Sequence, residues 1–163
     1  MTDLLVNLYS RRLDELAGRV ADVAATIRAA LPPELHIIAD WIRSNFSEYW
    51  VSEATVAMAH QPPGCLVATV DGDLVGFACY DATARGFFGP TGVAEGARGN
   101  RIGLALFYHT LMAMKAQGYA YAVIGSAGPI EFYVNAVGAL PIPSEREDIY
   151  QGLLRPKTSP SMS

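Results

Sequence analysis

Gly89-Pro90-Thr91-Gly92-Val93-Ala94-Glu95-Gly96-Ala97-Arg98-Gly99-Asn100-Arg101-Ile102-Gly103-Leu104-Ala105-Leu106 is the stretch whose reading decides the fold. It predicts a strand that runs into a glycine-bearing loop and then opens a long apolar helix. Phe87, Phe88 and Val93 suit the strand, Gly96 and Gly99 break it, and helix-forming residues follow from Ile102. Such a loop leaves backbone N–H groups without partners at a helix N-terminus, where the helix dipole also favours negative charge. Arg98 and Arg101 flank those donors and can add charge-assisted hydrogen bonds. The stretch reads as a site for a phosphate or pyrophosphate.

Outward from this loop the elements follow from periodicity and punctuation. The helix runs from about Asn100 to Gln117, apolar nearly all round, with Lys115 at its negative end and Gly118 as its stop. Tyr119 to Ile124 then reads as a strand parallel to the one over Arg85 to Val93, as a strand–helix–strand unit requires. Pro90 cannot donate to a ladder, so with Gly89 and Gly92 beside it a bulge or splay is expected there. Upstream, Cys65 to Val70 and Leu74 to Tyr80 flank Asp71-Gly72, a hairpin signal. A two-residue turn would set Cys65 against Ala78, and a three-residue turn would set it against Cys79.

Nearer the N-terminus, Leu5, Leu8, Leu13, Leu16 and Val20 fall near helical spacing and predict a short amphipathic helix. A strand is expected over Val23 to Leu31 and ends at Leu31-Pro32-Pro33. Leu35, Ile38, Ala39, Ile42 and Phe46 form the apolar stripe of a helix, and a second runs from Glu48 to about Ala59 with Ser47 as N-cap. Trp41, Phe46, Tyr49 and Trp50 form a dense aromatic group that reads as a core or helix–helix contact. Downstream, a short helix opens at Pro129 and closes at Gly138. Strands are expected over Ala139 to Ile142 and Ile149 to Leu154, followed by a polar tail.

Composition sets the limits. The chain has 163 residues, 51% of them apolar and 17% charged, which suits one domain with a substantial core. Its net charge of −4 and the lack of any basic run argue against a nucleic-acid partner. No run approaches the roughly 18 apolar residues of a membrane span, and Asn7, Ser10, Arg11 and Arg12 interrupt any signal-peptide core, so a cytoplasmic protein is expected. With two cysteines and no His/Cys cluster at ligand spacing, the expectation is buried free thiols and no metal.

Val93 followed by Arg98-Gly99-Asn100-Arg101-Ile102-Gly103 resembles the acyl-CoA signature of the GNAT superfamily of N-acyltransferases, Arg/Gln-x-x-Gly-x-Gly/Ala after a strand. Arg101 departs from it, standing where the first signature glycine belongs. The element order from about Thr26 to Leu154 also resembles this family. Phe88 to Val93, Gly118 to Ala122 and Glu131-Phe132-Tyr133 look like a bacterial subgroup of unassigned substrate. The resemblance implies an α/β (α+β) fold with a mixed central sheet of about six or seven strands flanked by helices. It implies a GNAT domain over 23–155, preceded by a helical extension over 1–22 and followed by a tail over 156–163.

The resemblance further implies acetyl-CoA as co-substrate. Thr91, Gly92 and Val93 would offer backbone groups to the thioester and pantetheine arm. Gly99, Asn100, Arg101, Ile102, Gly103 and Leu104 would line the pyrophosphate, with Arg98 at the loop entry. Tyr133 matches the tyrosine that protonates the departing thiolate in many relatives, although Gly138 follows it by five residues rather than four. The implied reaction is direct attack of a primary amine, from a small molecule or peptide, on the thioester. For the base, Glu95, Asp81, Glu131, His60, His36 and a water chain stay open. The alternative is a GNAT-fold protein that binds acyl-CoA, or dimerises through its sheet, without transferring the acyl group.

Overall fold

The computed structural model describes residues 2–143 and 148–157. The hairpin forms as its turn chemistry requires. Asp71 and Gly72 both take left-handed backbone, with φ 52° and 82°, joining β3 (Cys65–Val70) to β4 (Asp73–Tyr80) by a two-residue turn. Thr69 faces Leu74, but Ala68 faces Gly76, so Val75 is an extra residue in β4. That bulge slips the register by one and sets Cys65 against Cys79 despite the short turn. Both thiols are free and buried, and burial, then the hydrogen bond with Cys65, pushes the Cys79 thiol up.

β2 (Thr26–Ala29) extends the hairpin on one side and β5 (Phe87–Val93) on the other, all antiparallel. β6 (Tyr121–Ala127) lies parallel to β5, as the intervening helix α4 (Ile102–Ala116) demands. Among the described residues the sheet is mixed, with seven strands in the order β2-β3-β4-β5-β6-β1-β7, where β1 is Thr2–Asn7 and β7 is Leu140–Pro141.

The N-terminus corrects the sequence reading. Thr2–Asn7 is not helical: it is strand β1, set between β6 and β7 (Leu140–Pro141) and antiparallel to both. Leu4, Val6 and Leu8 are fully buried, so the period-two alternation overrides the helical spacing that Leu5 and Leu8 suggested. The helix α1 is confined to Arg12–Val20, where Leu13, Leu16 and Val20 face inward. A second correction lies at the other end. No strand forms over Ile149–Leu154, which is turn and irregular backbone; β1 occupies the place between β6 and β7. Most of the expected tail lies outside the described residues.

The helices form two outer layers. α2 (Leu35–Asn45) and α3 (Glu48–Met58) bury Ile38, Ile42, Val51 and Ala54 against Cys65, Val67, Phe77 and Cys79 on one sheet face. The Ser47 side chain caps α3 by accepting from the Trp50 N–H at 3.3 Å. Ahead of α2, Glu34 accepts from Arg28 at 2.8 and 2.6 Å and from the Leu31 N–H, which holds its carboxyl down at about 2. On the other face α1, α4 and α5 (Ile130–Val137) cover Leu66, Ala68, Ala78, Tyr80 and Phe88. Among the described residues no helix is long and apolar enough to cross a membrane.

The strand role of Thr2–Asn7 has a direct consequence. Leu4→Ala should cost about 2–5 kcal/mol in urea unfolding, as for other fully buried leucines. A loss below about 0.5 kcal/mol, the range of surface substitutions, would mean that β1 is peripheral.

Candidate active site

The site begins where β5 and β6 part. They pair only at Phe87–Val123 and Phe88–Ile124. Immediately beyond, each strand carries one residue too many for its outer neighbour. On β5 the register against β4 slips between Tyr80–Phe88 and Ala78–Thr91, leaving Gly89 (φ 115°) and Pro90 as the bulge. On β6 the register against β1 slips between Leu4–Ile124 and Thr2–Ala127, and Ser126 takes φ 47°. The Ser126 N–H is drawn to Asp3 Oδ1 at 2.7 Å. Beyond those two pairs β5 and β6 no longer pair, and among the described residues the β5 backbone from Gly89 onward has no strand partner on its β6 side. The bulge expected at Pro90 is therefore half of a matched pair.

Gly92 is required within this opening. A Cβ there would stand 2.4 Å from Phe46 Cζ, so only glycine lets the aromatic group of Trp41, Phe46, Trp50 and Phe77 close beneath the strand. That group belongs to the core under α2 and α3.

The helix start supplies the opposite end. After a short 3-10 turn over Glu95–Ala97 the chain passes through Gly99 at φ 86° and Arg101 at φ 59° into α4. No side chain caps α4, and the N–H groups of Ile102, Gly103 and Leu104 donate to no described residue. Asn100 turns its amide back to the Ala97 carbonyl at 3.1 Å, and Arg98 Nε donates to the Val93 carbonyl at 3.1 Å. Arg101 holds the left-handed conformation that glycine adopts freely, which explains the glycine of the signature at this position. Its guanidinium turns towards the end of α1, donating to the Arg19 carbonyl and pairing with Asp22 at 3.1 Å. The Arg101 hydrogen bond, then its charge, holds the Asp22 carboxyl below its usual range.

A cavity of about 570 Å³ joins the two ends. Thr91, Gly92 and Val93 line it from β5, Arg98, Gly99 and Arg101 from the loop, Ile102, Gly103 and Leu104 from α4, and Tyr133 from α5. Of the cofactor-binding residues expected from sequence, Asn100 alone is missing from this lining; it borders a neighbouring cavity of about 780 Å³. Tyr133 sits edge-on to Phe107, ring centroids 5.1 Å apart, and burial pushes its phenol up, which keeps the proton on it. Gly138, five residues after Tyr133, is the C-cap of α5. Gly138 has φ 69° and donates to Val134, whose carbonyl also accepts from Arg12 at 3.1 Å.

None of the candidate bases lines this cavity. Asp81 accepts from the Tyr119 hydroxyl and the Gly86 N–H, each at 2.8 Å, and His60 bonds the Asp81 carbonyl, so these two secure the β4–β5 loop. Sequence reasoning missed Arg19, Phe88, Ala97, Phe107, Pro129 and Phe132 in the lining. The apolar ones look like any core residue, and Arg19 carries no motif.

The family profile described as "Acetyltransferase (GNAT) family" matches residues 35–136, more than half of the chain. No curated protein is significantly similar to the chain in sequence. Among solved structures, one similar fold is the glucosamine N-acetyltransferase region of a fungal multi-domain β-N-acetylglucosaminidase, with 16% identity over 86% of this chain and TM-score 0.70. Another is an N-acetyltransferase from Sphaerobacter thermophilus, with 18% identity over 87% of the chain and TM-score 0.61. The chain spans 19% and 49% of the length of these two. A ribosomal-protein-alanine N-acetyltransferase from Brucella melitensis biovar Abortus 2308 is similar over 77% of this chain and 99% of its own, with 18% identity and TM-score 0.57. At these identities the likeness is one of fold.

The Arg101 geometry sets two small energies against each other. Arg101→Gly relieves a left-handed residue worth about 1–2 kcal/mol and removes a surface ion pair worth about 0–1 kcal/mol. Added chain freedom offsets part of the relief. Its unfolding free energy should stay within about 1 kcal/mol of the parent. A loss above about 2 kcal/mol would show that the tie to α1 dominates.

Proposed function

The chain belongs to the acetyltransferase (GNAT) family, and we propose that it is an acetyl-CoA-dependent N-acetyltransferase that acts on a primary amine of a small molecule or peptide in a ternary complex. One observation carries the reading: a single cavity connects an uncapped helix start flanked by arginine to an unpaired strand edge and a buried tyrosine. The donors of Ile102, Gly103 and Leu104 suit a pyrophosphate, and Arg98 adds charge at its edge. The side of the Thr91 to Val93 backbone turned away from β4 suits the amides of a pantetheine arm, since an unpaired strand edge binds an extended chain by main-chain hydrogen bonds. The residues present therefore fit an acyl-CoA.

Each residue has a defined part in acyl transfer. Backbone N–H groups at the strand opening stabilise negative charge on the acyl oxygen as the amine attacks. Tyr133 keeps its proton at neutral pH, because burial raises its pKa, and can deliver it to the departing thiolate. None of Glu95, Asp81, Glu131, His60 and His36 lines the cavity, which supports proton removal from the amine through water.

Calorimetry should show saturable acetyl-CoA binding that weakens about tenfold in Arg98→Ala, the size of one charge-assisted hydrogen bond. Equal affinity for acetyl-pantetheine, which lacks the pyrophosphate, would contradict the role of the helix start. Once an amine screen for CoA release has supplied an acceptor, Tyr133→Phe should preserve acetyl-CoA affinity and lower kcat by about 10²-fold or more. An unchanged kcat with chemistry rate-limiting would remove Tyr133 from the mechanism.

A further inference from the structure

Arg19 stands in the last turn of α1, outside the residues matched by the family profile, yet it lines the 570 Å³ cavity. A cation in the last turn of a helix is ordinarily explained by the helix dipole. Three further features set this one apart. The Arg101 guanidinium donates to its carbonyl, so the end of α1 is tied to the start of α4. Asp22, three residues on, is engaged by Arg101 at 3.1 Å, and Arg19 forms no ion pair with a described residue. Beyond Arg101, the neighbouring cavity is walled by Asp22, Asp71 and Asp73.

Charge is thus divided across Arg101 in a chain whose net charge is −4. Arginines 19 and 98 lie on the side of the 570 Å³ cavity, and aspartates lie on the other. An anionic ligand whose pyrophosphate sits at the start of α4 is repelled from the aspartate side and drawn along the wall that carries Arg19. The pyrophosphate already has the α4 donors and Arg98. A further cation on a separate element suits a second, separate phosphate group.

We propose that Arg19 is a specificity-determining residue that binds the ribose 3′-phosphate of the co-substrate and so selects CoA thioesters over their 3′-dephospho forms. This rests on the acyl-CoA reading of the same cavity. It assigns to the N-terminal β1–α1 segment a ligand contact as well as a place in the sheet.

The test is calorimetry on the full chain with CoA and 3′-dephospho-CoA, using the parent protein, Arg19→Ala and Arg19→Lys. The parent should favour CoA by about tenfold, a preference that shrinks at high salt. Arg19→Ala should weaken CoA to the affinity of the dephospho form and leave the latter unchanged, and Arg19→Lys should retain part of the preference. Loss of affinity for both ligands in equal measure, or a preference that survives Arg19→Ala, overturns the assignment. A parent that binds both equally overturns it while leaving the acyl-CoA reading intact. A parent that binds neither ligand removes that reading, and this one with it.

Discussion

The parting of β5 and β6 is the constraint on which the rest of this structure depends. A parallel pair that closes at Phe87–Val123 and Phe88–Ile124 and then opens forfeits ladder bonds worth about 0.5–1.5 kcal/mol each. Each strand recovers part of that loss on its outer side. β5 bulges at Gly89–Pro90 and continues its pairing with β4 through Thr91, Gly92 and Val93. β6 bulges around Gly125–Ser126, and Asp3 takes up the Ser126 N–H. The opening is thus supported from both flanks, with Phe46 packed against Gly92. The start of α4 and Tyr133 converge on the cavity that this opening creates.

One of those flanks is the N-terminal strand. β1 supplies the register slip against β6, the Asp3 acceptor, and the wide pairing surface that separates β6 from β7. From it the chain turns into α1, whose end is tied by Arg101 to the loop before α4. The residue that departs from the family signature therefore joins the N-terminal segment to the loop before α4. Its left-handed backbone is the local cost of a side chain that bridges two elements.

The fold was legible in sequence where local chemistry and tertiary need agree. Asp71-Gly72 fixes a hairpin, Ser47 starts a helix, Gly118 and Gly138 stop two others, and Pro90 forces a bulge. The cavity lining was legible for a related reason, because Arg98 to Leu104 sit in one continuous loop and helix turn. What escaped notice depends on contacts distant in the chain. Leu4, Val6 and Leu8 alternate like a strand, but Leu5, Leu8, Leu13 and Leu16 also satisfy a helical stripe, and only β6 and β7 decide between them. The bulge at Val75, which sets Cys65 against Cys79, is a tertiary adjustment that no turn rule contains. Arg19 reaches the cavity only because α1 docks against α4, and the partners of Arg101 are likewise 82 residues away and 79 away by numbering.

Backbone amide chemical shifts during a titration with acetyl-CoA test the central claim most directly, since they read individual N–H groups. The largest changes should fall on Gly99 to Leu104 and on Thr91 to Val93, the two sets of donors joined by the cavity. Shifts confined to Asp71, Asp73 and Ala24 around the aspartate-walled cavity, or no shifts at saturating ligand, would contradict it.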